Sequence, residues 1–133
     1  MDTGALYALF DSADAWHARM RDWLAGAPDG LVVPWSVVQE TAYLTGSRMG
    51  PRAEAAFLRI TARDGYPLEV LESPDLERAA DLVDAYADFP LGFVDASIVA
   101  IAERLDVTSV LTTDRRHFGV VRPAHCPRLR LLP

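Results

Sequence analysis

From Gly92 to Leu105 the chain reads GFVDASIVAIAERL, a stretch so nearly apolar that Asp95 is its only charged residue before Glu103. Val94, Ile98, Ile101, Ala102 and Leu105 recur at the spacing of one helical side, and Asp95 lines up with Ile98 and Ala102 beside them. A helix of this kind needs other elements to cover it. Its acid stands at the entrance, where Gly92 marks the start and the positive end of the helix offsets part of the cost of the charge. A helix cap is the plain explanation, since Asp is preferred at helix starts. Three other acids in similar surroundings point further.

The rest of the chain supplies strands alternating with helices. Leu31-Val32-Val33, bounded by Gly30 and Pro34, has the pattern of a buried parallel strand. Leu68–Leu71 and Ser109–Thr112 are further strand candidates, and Leu129–Leu132 reads as a weak edge strand with Arg128 and Arg130 facing outward. Short helices are expected over Ala5–Phe10 and over Asp14–Leu24, the second with Trp16, Met20, Trp23 and Leu24 on one side, followed by a break from Gly26 to Gly30. The helix carrying Glu40 is expected to end near Gly46, and Gly50-Pro51 opens another to about Arg63 with Ala53, Ala56, Phe57 and Ile60 inside. After Ser73-Pro74, an N-cap and first-turn pair, a helix to about Ala87 is expected to bury Leu76, Ala79, Ala80 and Val83 and to expose Asp75, Glu77, Arg78, Asp81 and Asp84. At 133 residues this is one α/β domain, residues 1–133, built around a central, mostly parallel sheet. In such sheets the working site lies outside the carboxyl ends of the strands.

Four acids fall where that edge is expected. Asp2 opens DTGALYALF, Glu40 is the only acid between Asp29 and Glu54, Asp95 enters its apolar helix, and Asp114 directly follows the strand SVLTT. Brought together, each pair at roughly 4 Å repels by about 4 kcal/mol at an effective dielectric near 20. Such a cluster calls for cations or protons, and an all-oxygen set suits hard divalent ions, Mg²⁺ or Mn²⁺. Two such ions would offset four of the six excess negative charges of the chain. After Asp114 come five arginines and no acid, and all thirteen basic residues of the chain are arginine. Arginine is the better bidentate phosphate ligand; Arg115 and Arg116 stand beside the expected site. Without lysine, a P-loop nucleotide site and aspartate-based phosphotransfer are disfavoured. The single cysteine, Cys126, forms no internal disulfide. No basic leader precedes an apolar run and no run is long enough to span a membrane, so a cytoplasmic location is expected.

Four segments, DTGAL, VVPWSVVQETAYL, PLGFVDASIVAIAERL and VLTTDRRHFGVVRP, occur in the order in which they stand in PIN-domain proteins, and the chain resembles in particular the VapC-type toxin ribonucleases of bacterial toxin–antitoxin pairs. The resemblance implies a PIN-like three-layer sandwich and an endoribonuclease using one or two Mg²⁺ or Mn²⁺ ions. It also implies a homodimer restrained by a cognate VapB-type antitoxin. Carried over residue by residue, the catalytic and metal-holding acids are Asp2, Glu40, Asp95 and Asp114. Attack by activated water on the phosphate would leave a 5′-phosphate and a 3′-hydroxyl. Thr112 and Thr113 can hydrogen-bond a ligand water, Thr113, Arg115 and Arg116 are candidates for holding RNA, and His117 and Phe118 are expected to fasten the loop after Asp114. One departure stands out: relatives carry several apolar residues ahead of the first acid, forming the first, central strand, where only Met1 precedes Asp2. A strand so shortened would loosen the core and set the α-amino cation beside a metal ligand; the expectation is that the true start lies upstream. The alternative is a PIN fold that serves as a binding or scaffold module without catalysis.

Overall fold

In the computed structural model, which describes residues 1–26, 30–89 and 91–133 and only the backbone of Asp64, helices and short strands alternate along the chain. The first helix, α1 (Thr3–Phe10), is started by Asp2, whose carboxylate accepts the N–H of Ala5 at 2.7 Å. Asp14 bonds the N–H of Trp16 instead of opening a helix, so α2 (His17–Ala25) begins three residues later than expected, with Met20 fully buried. The expected break after Gly26 falls largely outside the described residues.

Strand β1 (Val33–Pro34) leads into α3 (Trp35–Met49), which runs on through Gly46. A Cβ at Gly46 would lie 2.6 Å from a Glu54 carboxylate oxygen, so the residue taken for a helix end is where the next helix crosses closely. The stop comes at Gly50, whose φ of 90° favours glycine, and Pro51 opens α4 (Pro51–Asp64). Strand β2 (Leu68–Glu69) precedes α5 (Ser73–Ala85). The buried side of α5 is turned from the expected one: Ala79 is inside as expected, but Asp75 and Leu82 join it there, whereas Leu76 is 49% and Val83 38% exposed. Asp75 belongs inside because it has partners there. It bonds the N–H of Glu72 at 2.9 Å in a capping box and takes the Arg104 Nε–H at 3.0 Å on both oxygens. Arg104 ends α6 (Phe93–Arg104), the apolar helix of the sequence, whose residues Ala96 to Ala102 are all buried.

Strand β3 (Ser109–Leu111), helix α7 (Arg115–Val120) and strand β4 (Arg130–Leu132) complete the chain. Pairing is parallel throughout, Val33 opposite Leu68 and Val110 opposite Leu131, but it forms two two-stranded sheets, β1-β2 and β3-β4, in place of one continuous sheet. Met1 and Asp2 join them. The α-amino group of Met1 donates to the carbonyl of Val32 at 2.9 Å, and the N–H of Asp2 donates to that of Leu111 at 2.9 Å. Two residues thus bridge the gap between the inner strands, and beside them lies a cavity of about 190 Å³ lined by Leu31, Val32, Ile98, Ile101, Val110 and Leu132 among others. No helix among the described residues is long and apolar enough to cross a membrane.

Candidate active site

The carboxyl end of β3, the start of α1, the first turn of α6 and the second turn of α3 deliver the four acids. Asp2 is 4% exposed and has both oxygens engaged, Oδ1 by the N–H of Ala5 and Oδ2 by the hydroxyl of Thr112. Burial pushes its pKa up, the two hydrogen bonds pull against that, and the charge of Asp114 adds to the rise. The Thr112 oxygen in turn accepts the N–H of Asp114 at 2.7 Å, so one hydroxyl ties the two acids to the strand end.

Asp114 caps α7. Its Oδ1 accepts the N–H groups of Arg116 at 2.8 Å and His117 at 3.0 Å, and its Oδ2 lies 3.1 Å from Nδ1 of His117. The same ring nitrogen stands 3.0 Å from Oδ2 of Asp95. The Asp95 pKa rises from 3.8 to about 6, chiefly through burial, with the charges of Asp114 and Asp2 adding and His117 opposing. Asp2, Asp95 and Asp114 are therefore one electrostatic cluster. Glu40 joins it at one remove: its Oε2 accepts the hydroxyl of Thr3, the neighbour of Asp2, at 2.6 Å. Helices α3 and α6 are tied at this depth by Ser36, which donates to Ser97 at 2.7 Å while Ser97 donates to the carbonyl of Val94.

The expected substrate residues sit around this cluster. A Cβ on Gly4 would overlap Oγ1 of Thr113, so the glycine is what lets the loop after β3 close onto α1. Arg115 is exposed and donates to the carbonyl of Pro133 at 2.7 Å. The Arg116 guanidinium lies 5.2 Å from the centre of the Phe89 ring, which meets His117 edge-on at 5.3 Å. The α-amino group of Met1 donates to Val32, and burial lowers its pKa to about 6 against the opposing pull of the Asp2 charge.

Thr3 and Gly4 have roles that the spacing of residues did not announce, and His117, expected to fasten the loop after Asp114, also reaches Asp95. Thr3 and Gly4 follow Asp2 directly, and a helix starting there brings both to the site; His117, three residues after Asp114, returns to it one helical turn later. By chemistry the acids fit a hard divalent ion: they are all-oxygen donors, Asp2 is buried, and Asp95, through its burial first and the charges of Asp114 and Asp2 after it, holds a proton more tightly than an ordinary carboxylate. By present geometry His117 stands between two of them, and among the described residues no three Asp, Glu, His or Cys side chains are placed to share one ion.

A family model, PIN domain, matches residues 1–122. The chain is 38% identical over 133 residues to Ribonuclease VapC26 of Mycobacterium tuberculosis, a match that takes in 100% of this chain and 98% of that one. Among solved structures, the VapC20 toxin of Mycobacterium tuberculosis, described as cleaving the sarcin-ricin loop, superposes with a TM-score of 0.81 at 23% identity over 89% of this chain and 91% of its own. The mixed α/β arrangement with parallel strands is that of this structure. With the match running nearly end to end, this chain belongs to the PIN-domain family.

Proposed function

We propose that the protein is the toxin of a bacterial type II toxin–antitoxin system, an endoribonuclease that needs Mg²⁺ or Mn²⁺. The observation that carries this is the cluster of Asp2, Asp95 and Asp114 on three separate elements, Asp2 buried and the other two half-buried, in which the charge of Asp114 makes those of Asp2 and Asp95 harder to hold. The full-length likeness to a ribonuclease supports RNA as the substrate. The chemistry that one or two bound Mg²⁺ or Mn²⁺ ions would supply there is activation of water at neutral pH and offsetting of charge on the phosphate. Asp2, Asp95 and Asp114 would hold them, with Glu40 reaching in from α3. Thr112 keeps Asp2 and Asp114 in register, and Arg115 and Arg116, both exposed beside Asp114, attract the RNA backbone. In-line displacement leaves a 5′-phosphate and a 3′-hydroxyl.

The partners follow from the same proposal. A VapB-type antitoxin and a second copy of the chain need apolar faces, and a groove of about 610 Å³ between α3, α4 and the start of α6 displays Trp35, Tyr43, Leu58 and Phe93, each 45% or more exposed. The site of action is the cytoplasm, where its substrate is. Cleavage of total cellular RNA by the purified protein, with Mg²⁺ and with chelator, tests the activity; cutting by Asp95→Asn at the parent's rate, or undiminished cutting in chelator, sinks it. One observation favours the alternative of a binding module without catalysis: among the described residues no three acids are placed to share one ion. Calorimetry with Mn²⁺ separates the two, since a scaffold has no binding that depends on Asp95.

A further inference from the structure

We propose that His117 occupies the place of a cation between Asp95 and Asp114 and must swing out before those carboxylates can share a divalent ion, so that the protein carries its own competitor for the metal. This rests on the metal-dependent function proposed above. One ring nitrogen, Nδ1, lies 3.0 Å from Oδ2 of Asp95 and 3.1 Å from Oδ2 of Asp114, bridging an acid on α6 to one at the head of α7. An ion taking the same two oxygens needs them at about 2.1 Å if it is Mg²⁺. It would lie in the wedge that Nδ1 now fills.

The surroundings let the ring leave without dismantling the site. Oδ1 of Asp114 is fixed by the backbone N–H groups of Arg116 and His117, so turning the His117 side chain frees Oδ2 alone and leaves the carboxylate anchored. Asp2 keeps its own bonds to Ala5 and Thr112. The His117 side chain is 26% exposed, which opens a way to solvent, and its ring touches Phe89 only edge-on. A residue that merely braced the acids for the metal would make the opposite prediction, because its loss would weaken binding.

Calorimetric titration of Mn²⁺ into the parent protein, His117→Ala, His117→Gln and Asp95→Asn at one pH measures the difference. His117→Ala is expected to bind Mn²⁺ about tenfold more tightly than the parent, the scale of one charge-assisted hydrogen bond that no longer has to be broken. His117→Gln keeps a polar side chain should the alanine variant fold poorly, and is expected to bind more tightly in the same direction. Equal or weaker binding in both variants overturns the competitor role and leaves the nuclease proposal standing. Mn²⁺ binding in none of the proteins overturns both. In ¹⁵N-histidine-labelled parent protein, the His117 Nδ1 resonance is expected to shift in step with saturation by diamagnetic Mg²⁺; an unmoved signal at saturation also rules the competitor out.

Discussion

Asp95 is ionised at neutral pH against its surroundings, because burial outweighs the help of His117. In the unfolded chain its pKa is near 3.8 and in the fold about 6, so between those values the folded protein binds more protons. Stability therefore falls as pH rises through that window, and the full penalty is present above about pH 6. Asp95→Asn is expected to stabilise the metal-free protein at pH 7.5 by up to about 3 kcal/mol for a shift of some two pKa units, read as a higher melting temperature. The gain should shrink toward pH 4, while RNA cleavage falls at least about a hundredfold. Lower stability at pH 7.5 would show that the His117 bond outweighs desolvation. At Gly4 the test is packing: Gly4→Ala drives a methyl into Oγ1 of Thr113, and Thr113→Ala removes that oxygen. The double variant is expected to be more stable than the sum of the single changes allows, by about 1 kcal/mol in a thermal double-mutant cycle; strict additivity would mean that Thr113 simply rotates away. The acids themselves were legible in the sequence because each stands alone in an apolar run. Their partners were not: Thr3 meeting Glu40 and His117 meeting Asp95 depend on how elements 37 and 22 residues apart close on each other, which no local spacing records.

Among the elements, α5 shows where periodicity misleads and what corrects it. Of Leu76, Ala79, Ala80 and Val83, expected inside, Ala79 is buried, but Asp75 and Leu82 take the other inward places, since Asp75 finds Arg104 on α6. An ion pair with one partner 3% exposed and the other 24% overrides a leucine that can remain at the surface. Arg104→Ala would leave the Asp75 carboxylate buried with only the N–H of Glu72, and is expected to cost about 2–4 kcal/mol in urea denaturation. Adding Asp75→Asn should recover part of that, because the amide oxygen can still cap while the unpaired charge is gone; no recovery would place the loss in the Glu69 and Glu72 contacts of Arg104 instead. The same logic covers Gly46, which reads as a helix end until α4 is known to cross there. Strand and helix types followed from the pattern of apolar runs; faces and ends waited on contacts between elements.

For the molecule as a whole, the division of the sheet is the dominant weakness. The β1-β2 and β3-β4 pairs face each other across a cavity of about 190 Å³, bridged by the backbone of Met1 and Asp2. Ser109 and Leu111 alternate with the residues of β3 that bond β4, so both present their backbones toward that gap, where Asp2 already takes the carbonyl of Leu111. An apolar β-branched tripeptide joined ahead of Met1 can run into the gap as a parallel strand and bury its side chains on α6. It would also convert the buried amine of Met1 into an amide that can still donate to Val32. The amine has a pKa of about 6 in the fold against 8.0 as a free terminus, so its protonation favours unfolding; that penalty is complete below about pH 6 and absent above about pH 8. The extended protein is therefore expected to melt several degrees higher than the parent at pH 8.5 through burial alone, and by a wider margin at pH 6. Equal melting temperatures at both values would mean that the gap does not admit a strand, and a margin independent of pH would mean that the amine of Met1 is not buried as described.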